Sequence, residues 1–160
     1  MKTHDAILAY EDGLAPELAE VVRVLRAEIE RALPAATSKV WHGHPVWFEG
    51  ENPIVGYDAR KATVTLLFWN GRALGEPGLS PIGKDRAAGK QYRSAADIDH
   101  AELRRCLDKA RVDVFDSVGH FRALREEAKR ARERTPRPGA TTPAKKGRST
   151  QKAGTKPRRG

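Results

Sequence analysis

Between Leu18 and Leu33 the apolar residues Leu18, Val21, Val22, Leu25, Ile29 and Leu33 recur at helical spacing and form one stripe. Glu20, Arg23, Glu30 and Arg31 fall on the opposite side, and Arg26 with Glu30 is spaced to pair along one helix face. Pro16 suits the first helical turn, where a missing N–H costs nothing, and Glu17 beside it faces the positive end of the helix dipole. Pro34 ends the pattern. Residues 1–13, ahead of this helix, read as a lead-in with one short turn at Ala6–Tyr10.

From Lys39 to Asn70 the period changes from helical to two, predicting strands near 45–50, 53–59 and 62–69. In the third, Val64, Leu66 and Phe68 share one face, and Thr63, Thr65, Leu67 and Trp69 share the other. The turns at Glu49–Pro53 and Ala59–Lys61 are short, so the strands are antiparallel neighbours. Residues 71–88 are rich in Gly and Pro and read as irregular, with one short helical turn; Lys90–Ser94 reads as a further strand. Asp99 can then cap a helix, Glu102 can complete a capping box, and Ile98 can staple onto Leu103. Leu103, Leu107, Ala110 and Val114 continue that helix, and Asp116, Ser117 and Gly119 mark a break before Val118, Phe121 and Leu124. The expected fold is α+β in two layers, ordered α-β-β-β-(α)-β-α. Its antiparallel sheet carries helices on one face and leaves the other open to solvent, a partner or a ligand.

Charge divides the chain differently. Residues 134–160 carry nine Lys and Arg and no acidic residue, which leaves 21 basic against 21 acidic residues over Met1–Glu133. The formal net charge of +9 therefore belongs to the tail. That tail has no Val, Ile, Leu, Met, Phe, Trp, Tyr or Cys, so it cannot bury enough apolar surface to offset the entropy of ordering. The expected division is a lead-in over 1–13, a domain over 14–133 and a disordered basic tail over 134–160. Lys145, Lys146, Arg148, Lys152, Lys156, Arg158 and Arg159 are candidate contacts for non-specific nucleic acid; a solubilising extension is the other reading. One cysteine, Cys106, excludes an intrachain disulfide, and no apolar run suits a signal core or a membrane span. These features predict a cytoplasmic protein with no membrane partner.

The segment Trp41-His42-Gly43-His44-Pro45-Val46-Trp47 concentrates the candidate chemistry. Trp41-x-Gly43-x-Pro45 after an amphipathic helix, then Asn52-Pro53-Ile54-Val55-Gly56-Tyr57, Val64-Thr65-Leu66-Leu67-Phe68 and Gly89-Lys90-Gln91-Tyr92-Arg93-Ser94, resembles the YdhG-like family of small bacterial domains of unknown function. The resemblance covers roughly Leu14 to Val114 and implies a helix followed by three strands, of the secretion-chaperone-like type. Some relatives are described as frataxin-like iron chaperones, which implies iron as cargo held on an acidic ridge of the first helix. Here Glu17, Glu20, Glu28 and Glu30 are interleaved with Arg23, Arg26 and Arg31, which neutralises such a ridge.

Read from the residues alone, seven of the ten aromatics lie between Trp41 and Tyr92. Strand alternation prevents all of them from facing the helices. Trp41, His42, His44, Trp47, Tyr57, Trp69 and Tyr92 are the candidate ligand-binding set for a small ligand or protein partner, and the alternative is that they pack against the 71–88 segment. His42 and His44, two apart in an extended segment, would point the same way and could offer two imidazoles to a divalent metal, with a third ligand needed from elsewhere. Trp41 is expected to anchor the sheet to the first helix, and Gly43 to hold a conformation or close approach that a Cβ would hinder. Gly78-Leu79-Ser80-Pro81-Ile82-Gly83-Lys84 imitates a phosphate-binding loop, but Asp85 stands where the magnesium-ligating hydroxyl belongs, so it reads as a surface loop. Cys106, beside an apolar stripe, reads as a core residue. No catalytic motif is present, so the sequence points to a binding domain rather than an enzyme. The alternatives are a nucleic-acid-associated protein and an iron chaperone.

Overall fold

A computed structural model describes residues 2–134. The chain divides into two compact units, Met1–Arg122 and Ala123–Gly160; the described part of the second is helical over residues 123–134. The elements are α1 (Lys2–Asp12), α2 (Pro16–Ala32), β1 (Thr37–Trp41), β2 (His44–Glu49), β3 (Asn52–Arg60), β4 (Thr63–Phe68), β5 (Ser80–Pro81), β6 (Ala88–Tyr92), α3 (His100–Val112) and α4 (Ser117–Arg134). Short 3-10 turns occupy Gly71–Leu74 and Ala95–Asp97. The sheet is antiparallel with strand order β1-β2-β3-β4-β6-β5. The α+β architecture is as expected, with one more helix and two more strands than the sequence pattern gave. Among the described residues no helix is long and apolar enough to cross a membrane.

One face of the sheet carries the core. Trp47, Val55, Tyr57, Leu66 and Phe68 of β2–β4 pack against Val21, Val22, Leu25 and Ile29 of α2 and Leu103 and Leu107 of α3. The stripe predicted for α2 is buried as a unit. In β4 burial alternates residue by residue, with Val64, Leu66 and Phe68 inward. Asp99 caps α3 by accepting a hydrogen bond from the Glu102 N–H (3.1 Å). The predicted capping box does not close, because the Glu102 carboxylate takes Lys90 Nζ at 2.6 Å. A capping box forms instead between Ser94 and Asp97, ahead of α3. The break expected near Asp116 lies between α3 and α4. There Asp116 accepts the Gly119 N–H, while Asn52 accepts Ser117 and Val118 and donates to Asp116.

The lead-in is the main correction. Residues 2–12 form a helix, Ile7 is fully buried in the core, and Glu11 is 2% exposed. Arg26 Nε reaches Glu11 Oε1 at 2.6 Å and the Tyr57 hydroxyl donates to the same oxygen at 3.2 Å. The Ala59 N–H donates to the Tyr10 hydroxyl. The first helix is therefore part of the domain rather than its approach.

Candidate functional site

The Trp41–Trp47 segment is a hairpin and not one extended run. β1 and β2 are joined by the two residues His42 and Gly43, at φ 51° and 86°, with Trp41 opposite His44. Positive φ at both loop positions is what a type I′ hairpin turn requires, and glycine adopts it without strain. Gly43 is thus needed for its backbone, since nothing lies within 4 Å of where its Cβ would be.

The hairpin decides which tryptophan faces which way. Residues directly opposite share a sheet face, so Trp41 and His44 point together, and Trp47, three residues on, points to the other side. Trp47 enters the core; Trp41, Lys39, Val46 and Gly56 line the face away from it. At the junction of β2 and β3 the register slips between Trp47 and Phe48, so Trp47 faces Val55 and Phe48 faces Pro53. The bulge leaves Ile54 as the extra residue, and both Ile54 and Val55 join the core.

On this second face the rings converge. The Trp41 indole lies 5.5 Å from Phe48, edge-on, and 6.0 Å from Trp69, while the His44 ring stacks on Trp69 at 6.4 Å. Val46 and Phe48 are buried beneath them, but Trp41, His44 and Trp69 stay half-buried. Gly56 permits the arrangement: a Cβ there would come within 2.6 Å of the Pro45 carbonyl oxygen and 3.3 Å of the Trp69 ring. Lys39 Nζ lies over the Phe48 ring at 4.8 Å. Beside these groups is a cleft of about 590 Å³, lined by Thr37, Lys39, Trp41, Phe48, Glu51 and Val118 among others. His44 Nδ1 is buried without a hydrogen-bond partner.

The seven ligand candidates therefore separate. Trp41, His44 and Trp69 gather on the open face, and His42 is exposed at the hairpin tip, its ring 4.4 Å from that of Trp41. Trp47, Tyr57 and Tyr92 are at most 2% exposed within the helix-covered core. Burial raises the pKa of both tyrosines, in Tyr57 with the Glu11 carboxylate adding to it, so they remain neutral phenols. Trp41 does not anchor the sheet to α2, because it occupies the opposite face.

The paired-imidazole geometry rested on an extended His42–His44 segment, and the left-handed backbone at His42 removes that premise. Among the described residues no group of three or more His, Cys, Asp or Glu side chains is placed to hold a metal ion. On the α2 surface Glu28 is engaged by Arg104 through two contacts (3.0 and 3.1 Å), by Arg31 (2.8 Å) and by His100 (3.4 Å). Arg104 foremost holds its carboxyl at about 2. Glu30 pairs with Arg26 at 3.4 Å.

The 78–84 loop is pinned by Arg72, which donates to the Gly83 carbonyl at 2.7 Å, and Ser80–Pro81 within it forms the edge strand β5. Burial pushes the Cys106 thiol up to about 11, which suits a core residue and not a nucleophile. Lys145, Lys146, Arg148, Lys152, Lys156, Arg158 and Arg159 lie outside the described residues.

Sequence reasoning missed Lys39, Phe48 and Val118, which line the cleft. Gly56, a glycine inside a strand, was the available signal of close approach on this face.

No family model matches the chain, and no curated protein matches it. Among solved structures the chain is similar to YdhG of Bacillus subtilis, a DUF1801 family protein, with a TM-score of 0.50. The two are 14% identical, over 65% of this chain and 86% of that one. At that identity the likeness is one of fold, and it is the YdhG-like fold that the order of the sequence motifs indicates.

Proposed function

We propose that this YdhG-like fold serves as a binding domain with no bond-making chemistry of its own, holding a small ligand or protein partner on the sheet face opposite α1, α2 and α3. The observation that carries the reading is the gathering of Trp41, His44, Phe48 and Trp69 on that face beside a cleft of about 590 Å³. Half-buried aromatic rings offer large contact area at little entropic cost, and tryptophan is among the residues that most often dominate binding energy.

An NMR screen of small aromatic and heteroaromatic fragments against the full chain tests this. Hits should shift the Trp41 and Trp69 indole signals together with the Lys39 and His44 amides, and Trp41→Ala should abolish them while the protein stays folded. Hits confined to the helical face, or unaffected by Trp41→Ala, would remove the reading.

A further inference from the structure

We infer that β1 accepts an extended peptide as an added strand at the sheet edge, with a carboxylate of that peptide opposite Lys39. The inference rests on the open-face reading above and names the occupant of its cleft.

β1 has a single strand neighbour, β2, and α1 packs against it. Trp41 and His44 flank a two-residue loop and so form a hydrogen-bonded pair; every second pair, Lys39 with Val46 and Thr37 with Phe48, is then hydrogen-bonded as well. The intervening residues Ser38 and Val40 turn their N–H and C=O groups outward, away from β2. Pro45 fits this alternation, because it sits opposite Val40, where no hydrogen bond to β1 is asked of its nitrogen. The edge thus offers two donors and two acceptors in the spacing an incoming strand needs, and Val40 is 36% exposed.

Charge selects the occupant. Side chains of an added strand that lie opposite Thr37, Lys39 and Trp41 would project over the cleft, onto Trp41, Phe48 and Val118. Among the described residues Lys39 has no carboxylate partner; its ammonium rests on the Phe48 ring. Glu51 stands beyond the Thr37 end, in the turn after β2, and leaves the Lys39 position positive. A second copy of this chain is a poor occupant. A symmetric antiparallel pair that uses both Ser38 and Val40 would set Lys39 directly against its own counterpart, in a pair of the closer, non-hydrogen-bonded kind. The charge that repels a like edge favours a strand with an acidic residue at that place.

The test uses the full chain labelled with ¹⁵N and a capped octapeptide of alternating valine and threonine with one central glutamate. Ser38 and Val40 amides should shift saturably and gain protection from hydrogen exchange. Replacing the peptide's glutamate by lysine should weaken binding roughly two- to fivefold, the scale of a cross-strand charge pair. Lys39→Glu should reverse the preference. Equal affinity for both peptides would overturn the assigned carboxylate. Peptide that moves the Trp41 indole without protecting Ser38 and Val40 would overturn strand addition and leave the open-face reading standing. No response to peptide, in a protein whose Trp41 indole does respond to aromatic fragments, would overturn the added strand alone. No response to either would remove both. Protection of Ser38 and Val40 that grows with protein concentration, without peptide, would assign the edge to a second copy and overturn the inference.

Discussion

Replacing Glu28 by Gln should uncouple α3 from α2 in a way that depends on pH. Glu28 is the carboxylate that Arg104 and His100 of α3 and Arg31 of α2 all engage, and its side chain is 11% exposed. The Arg104 contacts foremost, with Arg31 and His100, hold its pKa at about 2 against an ordinary 4.5. At about 1.36 kcal/mol per unit that shift corresponds to roughly 3 kcal/mol. The Arg104 and Arg31 side chains are 51% and 58% exposed, so solvent screening reduces the expected contribution to about 1–3 kcal/mol. Because the folded pKa lies below the unfolded one, the unfolded chain binds more protons between the two values. Stability from this site is complete above about pH 5.5 and is lost as pH falls through about 4.5 toward 2. Urea unfolding of wild type and Glu28→Gln should therefore differ by about 1–3 kcal/mol near pH 7 and converge near pH 2. Equal stability at neutral pH, or a deficit that persists unchanged in acid, would refute the reasoning.

Other outcomes follow from the same structure. Ile7→Ala should cost about 2–5 kcal/mol in chemical unfolding, since Ile7 is fully buried; a neutral result would return residues 1–13 to the status of a lead-in. Trp47→Ala should cost about 3–5 kcal/mol. Trp41→Ala, which removes a half-exposed ring, should cost roughly 1 kcal/mol, so calorimetry of the two variants separates the faces of the sheet. If the basic tail contacts polyanions, DNA binding by the full chain should weaken with salt at a log–log slope of about −5 to −8 and disappear when the chain ends at Glu133; retained binding would move that activity into the domain.

What the sequence shows and hides has physical causes. The α2 stripe and the inward positions of β4 are legible because each element is half-buried along its whole length. α1 is not, because its place depends on the distant contacts of Ile7, Glu11 and Tyr10 and not on a long apolar stripe. β1 is hidden because an edge strand with little burial on either face leaves no period-two signal. The site suffers most from the unread hairpin. Treated as one extended run, Trp41 and Trp47 fall on the same face and His42 aligns with His44. Two left-handed residues at 42 and 43 reverse the chain and place the tryptophans on opposite sides. Tyr57 and Tyr92 stand out by aromatic composition alone, which carries no information about which face a strand residue takes.

The proposed binding face of the sheet carries Trp41 and Trp69, and the core face carries Trp47. Fluorine NMR of the full chain, with all three tryptophans replaced by 5-fluorotryptophan and assigned by single substitutions, reads both faces at once. On titration with the glutamate-bearing octapeptide or an aromatic fragment, the Trp41 and Trp69 resonances should move while that of Trp47 stays in place. A Trp47 resonance that moves with ligand while Trp41 and Trp69 remain fixed would contradict the account.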